Sequence, residues 1–282
     1  VRGVVFVADD LGITAGQNRG IARAARTGLV RETSLCVTGG AVADGVRTAR
    51  ELGLGIGLHL SLTLGHSLTG PIRGITDTAG RFRPLRAVLL ACALRRVDAT
   101  GIGREVAAQL TRLRELGVEP THLNGHQHVH VFPVVREVVF AAAAAHGLRW
   151  TRMPSEPAHC GGRWQPTRLL LARLAATAAP TARRHGCQWL PFVGLATEAR
   201  PDFGRRAERI ARGLTAAATE WMVHPREPDP ALLELDPEGH RRASAAELAT
   251  LADPASAARL GVQPLAFADC AAPAANAPLS GS

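Results

Sequence analysis

Short runs of apolar, β-branched residues recur along the chain and alternate with alanine-rich stretches whose apolar positions return every three or four residues. The first kind suits buried strands and the second suits amphipathic helices, so the alternation predicts repeated βα units around a parallel sheet. Eight strands are expected: 4–9 (VVFVAD), 34–39 (SLCVTG), 56–62 (IGLHLSL), 121–129 (THLNGHQHV), 147–153 (GLRWTRM), 188–194 (QWLPFVG), 220–224 (EWMVH) and 264–269 (PLAFAD). Helices are expected near 15–27, 41–52, 101–116, 133–146, 165–178, 203–218 and 244–260, with Gly28, Gly53, Gly117 and Gly147 where C-terminal caps belong. Repeats of this kind predict a single-domain α/β fold over 1–270, a closed or nearly closed (βα) barrel whose chemistry gathers where strands end and loops begin. Residues 64–100, rich in Gly, Pro and Arg, separate the third and fourth strands and read as a lid-like insertion. Its AVLLACAL segment suits a short helix with one face on the substrate or on a partner chain, the alternative being a helix packed only against the outside of the barrel. The small and polar residues of 271–282 read as a disordered tail.

Composition narrows the function classes. With 46% hydrophobic and 20% charged residues, the 282-residue chain has the make-up of an ordinary globular protein. Its net charge of +9 comes without a single lysine or tyrosine, and the arginines are scattered and seldom flanked by aromatic residues. That is a bias towards Arg and Ala rather than a nucleic-acid surface, so no nucleic-acid partner is expected. The five cysteines are widely spaced and form no C-x-x-C pair, which favours reduced, buried thiols. The longest apolar windows fall short of the ~20 residues that span a bilayer, and nothing near Val1 resembles a signal peptide. A cytoplasmic protein without a transmembrane segment is the expectation.

The residues that close the strands carry the chemistry. Asp9 and Asp10 close the first, His59 the third, His126 to His130 the fourth and His224 the seventh. In a barrel these ends converge on one mouth, and two adjacent carboxylates beside an apolar run call for a counter-charge. A metal ion is the natural one, since Asp with two His leaves coordination positions open for water and substrate. Within HLNGHQHVH, His126, His128 and His130 share one face if the strand continues, but Gly125 suggests a bend, so one or two of them reach a common ion. Arg152 in TRMP suits a planar pair of substrate oxygens, with an ion pair to Glu156 as the alternative. The glycines of GLGIGLHL lead into a strand instead of following one and do not have dinucleotide-binding spacing.

With ADDLGIT and QNRGI at Ala8–Ile21, GLHLSLT at Gly57–Thr63, PTHLNGHQHVHVFP at Pro120–Pro133, RMPSEP at Arg152–Pro157, WMVHP at Trp221–Pro225 and the closing PLAFAD, the chain resembles the YdjC-like carbohydrate deacetylases over nearly its whole length. That family includes chitooligosaccharide deacetylases and a branch associated with hopanoid biosynthesis. The resemblance implies a modified (βα) barrel of the glycoside hydrolase/deacetylase type and a metal-dependent hydrolase that removes an N-acetyl group from an amino sugar. It places one divalent ion on Asp10, His59 and His126. Many relatives have Asp where this chain has Asn124, a change read as tuning of the surroundings rather than loss of activity. On this reading Asp9 is the general base and His224 the proton donor to the leaving amine, while Arg152, Asn124 and His130 contact the substrate. Two imidazoles favour Zn²⁺ over Mg²⁺ on ligand softness, with magnesium as the alternative. A homodimer is one option for assembly. Two rivals are a catalytically inactive, metal-stabilised sugar-binding protein, against which the retained Asp9 argues, and a 2-His-1-carboxylate iron enzyme. The latter usually carries H-x-D on one strand of an all-β barrel, whereas these ligands come from three strands of a βα pattern.

Overall fold

In a computed structural model that describes residues 2–160, 166–235 and 245–271, the first apolar run becomes the longest strand, β1 (Arg2–Leu11), buried from Gly3 onwards. Apart from Ala271, the tail expected over 271–282 lies outside the described residues. β7 (Ala218–Val223) pairs with Gly3–Ala8 on one side of β1, and β2 (Val30–Leu35) pairs along Phe6–Leu11 on the other. β3 (Gly55–Leu60), β4 (His122–Gly125) and β5 (Trp150–Thr151) follow beyond β2, and β6 (Phe192–Val193) lies beyond β7. All are parallel, in the order β5-β4-β3-β2-β1-β7-β6. A single bridge between Trp150 and Gln188, just ahead of β6, joins the two ends and closes the sheet into the expected modified barrel.

The period of two along β1 separates its faces. Val4, Phe6 and Ala8 pack in the main core with Ile21 and Ala24 of α1 (Ala15–Ala25). Val5 and Val7 face the lumen, where they meet Leu190 and Phe267. Outside the strands lie α2 (Val42–Glu51), α3 (Leu85–Ala93), α4 (Ala99–Glu115), α5 (Val135–Ala145), α6 (Pro166–Arg184), α7 (Phe203–Gly213), α8 (Pro230–Leu235), α9 (Ala245–Leu251) and α10 (Ser256–Leu260). Gly28, Gly53, Gly117 and Gly147 end helices with φ of 77°, 65°, 72° and 73°, the left-handed conformation for which their positions were singled out.

Several boundaries differ from expectation for one reason: the lumen is polar. β2 begins at Val30 and ends at Leu35, whereas a strand was expected at 34–39. Its inward Glu32 and Ser34 broke the apolar pattern, yet both are buried with hydrogen-bond partners. The fourth strand stops at Gly125 and continues as a 3₁₀ turn, His126–Val131. Gly125 itself is extended, and the bend falls on Gln127 and His128. A Cβ on Gly125 would lie 2.9 Å from His130 Nδ1, so the glycine serves close packing instead. The eighth strand is also displaced: β8 (Val262–Pro264) pairs with Arg2–Val4 of β1, in line with β2, and the expected 264–269 run ends in a 3₁₀ turn at Phe267–Asp269. The helix expected at 244–260 is broken into α9 and α10. Among the described residues no helix is long and apolar enough to cross a membrane.

Candidate metal centre

In a regular strand Asp9 and Asp10 would point to opposite faces. Asp10 instead has φ 71°, a left-handed conformation that Asp adopts more readily than most residues, and both carboxylates turn to the mouth of the barrel. The chain that follows fixes this kink. Thr14 caps α1 by accepting from the Gln17 backbone N–H, while Gln17 Oε1 accepts from Thr14 N. The same Gln17 turns Nε2 to Asp10 Oδ2 at 3.4 Å, and Asn18 Oδ1 accepts from Gly12 N at 2.8 Å.

Asp10 Oδ1 lies 3.1 Å from His59 Nε2 and 3.2 Å from His126 Nδ1, and the two nitrogens are 3.4 Å apart. All three residues are buried. Donor atoms held at about 2.0–2.1 Å around a tetrahedral ion stand roughly 3.3 Å from one another, so this triangle has the dimensions of one face of a coordination shell. The tautomer fits as well. His59 Nδ1 lies 2.7 Å from Asn124 Oδ1, to which it donates, leaving Nε2 as a lone-pair donor towards the centre. Arg226 Nη2 approaches the other Asp10 oxygen at 3.5 Å. Burial pushes the Asp10 carboxyl up, but with His126 and His59 protonated their hydrogen bonds and charge outweigh it and hold the group well below the usual carboxylate range.

Asp9 sits beside the triangle in a net of its own. Both oxygens accept from the Arg152 guanidinium, Oδ1 also accepts from Ser34 Oγ at 2.9 Å and Asn124 Nδ2 at 3.0 Å, and Oδ2 faces His224 Nε2 at 3.9 Å. Burial alone would raise its pKa; the charges of Arg152 and His59 overcome that and keep Asp9 ionised far below its ordinary range. His224 lines the mouth with its side chain 12% exposed, and its backbone N–H donates to buried Glu247 at 2.6 Å.

The three residues expected to touch substrate lie deeper. Arg152, Asn124 and His130 are at most 1% exposed. Arg152 is spent on Asp9 and Glu220, whose Oε1 accepts from Nε at 2.6 Å; the alternative partner, Glu156, pairs with Arg168 instead. Asn124 bridges His59 and Asp9, and His130 Nε2 donates to the Arg152 carbonyl at 2.8 Å. Their polar atoms face protein, so they position the site from below rather than reach into it. Sequence reasoning did not single out Ser34, Glu220 or Arg226. Ser34 and Glu220 were findable, because Glu220 stands four residues before His224 on the same inward face of β7 and Ser34 shares the inward face of β2 with Glu32.

Above the triangle, two walls are apolar. Leu85 and Leu89 come from α3, inside the 64–100 insertion, and Leu170, Leu171 and Leu174 come from α6. Polar contacts at the mouth come from Gln127, His128, Glu198, His224 and Arg226.

Among known proteins, the family model described as YdjC-like protein matches residues 3–261. The chain belongs to the YdjC-like family. It is 36% identical over 239 residues to a protein of Homo sapiens named carbohydrate deacetylase, covering 79% of this chain and 74% of that one. It is also 39% identical over 147 residues to the chitooligosaccharide deacetylase of Enterobacter sp. (strain 638), covering 51% of this chain and 57% of that one. Among solved structures, a putative cellobiose-phosphate cleavage protein from Enterococcus faecalis superposes with a TM-score of 0.71 at 18% identity, over 95% of this chain and 98% of that one. That likeness establishes a shared fold across the full barrel.

Proposed function

We propose that this YdjC-like protein is a metal-dependent hydrolase that removes the N-acetyl group from an acetylated amino sugar, releasing acetate and the free amine. The triangle of Asp10 Oδ1, His59 Nε2 and His126 Nδ1 carries the reading, and the names of the relatives support the choice of substrate class. These three residues would hold one divalent ion, for which two imidazoles favour Zn²⁺ over Mg²⁺. When bound, the ion supplies Lewis acidity to an acetamide carbonyl and lowers the pKa of water towards roughly 7.

The chain's own residues do the rest. Asp9 accepts the proton of the attacking water while Arg152 fixes its carboxylate and Asn124 and Ser34 hold Oδ1. His224 Nε2 is 3.9 Å from Asp9 Oδ2, so a proton taken up by Asp9 has a short path to His224. His224 protonates the departing nitrogen as its bond to the acetyl carbon breaks. The α3 segment of the insertion and the start of α6 enclose the acetamide and limit water around it, through Leu85, Leu89, Leu170 and Leu171.

The deciding experiment is acetate release from a panel of N-acetylhexosamine conjugates by chelated protein with Zn²⁺ or Mg²⁺ added back. Activity restored by metal in the parent and absent from a folded Asp10→Asn variant is the expected result. Equal turnover with and without metal would sink the reading.

A further inference from the structure

The turn that presents His126 holds two successive residues in left-handed backbone, Gln127 with φ 52° and His128 with φ 60°. For residues other than glycine this conformation costs about 1–2 kcal/mol each. It carries His128 into the wall of the mouth, 8% exposed, with its ring edge-on to Phe192 at a centroid distance of 6.0 Å and to His130 at 6.3 Å. There His128 Nδ1 is buried without a hydrogen-bond partner among the described residues. An orphaned buried nitrogen costs about 1–3 kcal/mol, and Phe or Leu would fill a slot against Phe192 without it. Backbone strain and an unmet polar atom therefore coincide on one side chain, within the pocket that holds the proposed metal ligands. Local rules broken together beside a reaction site mark a group whose partner arrives with the ligand.

We propose that His128 is a specificity-determining residue that hydrogen-bonds a ring hydroxyl of the sugar bearing the acetamide, a role that rests on the deacetylase reading above. A neutral imidazole carries one donor and one acceptor, and a hydroxyl satisfies either nitrogen, whereas a carbonyl satisfies only the donor. The α3 and α6 walls offer leucine side chains, so hydroxyl recognition falls to the polar side of the mouth, which His128 and His126 both line. This also accounts for a histidine run whose second member is absent from the metal triangle.

The test compares the metal-loaded parent with His128→Phe and His128→Gln on methyl N-acetylglucosaminide and on its 3-deoxy, 4-deoxy and 6-deoxy analogues. The parent should lose roughly 10–100-fold in kcat/KM on one analogue. His128→Phe should lose a similar factor on the intact sugar and no longer distinguish that analogue, with unchanged metal content. His128→Gln, which keeps a donor and an acceptor, should recover part of the discrimination. An active parent whose analogue discrimination persists in His128→Phe would overturn the assignment of His128 alone. A parent that releases no acetate from any acetylated sugar would overturn the deacetylase reading and this role with it.

Discussion

Replacing Arg152 by Met tests whether the barrel is held shut by charge. The guanidinium is fully enclosed, donates Nε to Glu220 and reaches both oxygens of Asp9, so one substitution strips the paired cation from two buried carboxylates. Breaking a buried pair costs about 3–5 kcal/mol. Either carboxylate escapes the worst of this by taking up a proton, which for Asp9, with an ordinary value of 3.8, costs about 4 kcal/mol at pH 7. Two such groups bound the loss at about 4–8 kcal/mol, a large share of the 5–15 kcal/mol typical of a folded domain. The sign of the pH dependence is the sharper signature. In the parent the Asp9 pKa is depressed, so its contribution is present above pH 3.8 and is lost as pH falls further. In Arg152→Met burial is opposed only by the charges of His59 and His224 and by the Ser34 and Asn124 hydrogen bonds, so that pKa rises and stability should increase as pH drops from 7.5 to 5. Urea unfolding across that range gives the comparison, with Arg152→Lys, which keeps the charge without the fork, falling between the two. A constant offset between parent and Met variant at every pH, or a loss under 1 kcal/mol, would refute the argument.

Asp9→Asn should keep fold and metal content and lose about 10²–10⁴-fold in acetate release, measured as kcat at saturating metal. Asn124→Ala removes the acceptor of His59 Nδ1 and should weaken metal affinity about 10–100-fold in a chelator competition, with a smaller effect on the melting temperature. Burial, aided by the charge of Arg152, pushes the His130 pKa down to about 3, so its contribution to stability is complete above pH 6.5 and drains away between 6.5 and 3. His130→Gln should therefore flatten the acid limb of a melting-temperature profile, and an unaltered slope would count against it.

Much of the fold was legible because exposed helices and outward strand positions obey simple periodicities. The four glycine caps and the helix over 15–27 follow from local chemistry alone, and they stand where expected. The barrel interior was harder to read. Glu32, Ser34, Asn124 and Glu220 occupy positions that in an apolar core would be Val or Leu, and the side-chain partners each one has are distant in sequence. For the same reason Asp10, His59 and His126 could be chosen from strand-end logic and family resemblance, while Arg152 could not be told apart as ligand-binding or structural. Its two carboxylate partners lie 143 and 68 residues away in the chain.

The closure between β5 and β6 differs in kind from the rest of the sheet. There Thr151 N donates to Gln188 O and Gln188 N donates to Arg149 O, with no longer ladder behind them. Arg152, one residue past β5, ties that edge to β1 and β7 through Asp9 and Glu220. The proposed metal ligands come from β1, β3 and the turn after β4, which belong to the continuous part of the sheet. The barrel can therefore breathe along this seam without separating the atoms of the triangle. Amide hydrogens of Thr151 and Gln188 should exchange orders of magnitude faster than those of Phe6 and Leu58, and faster still in Arg152→Lys.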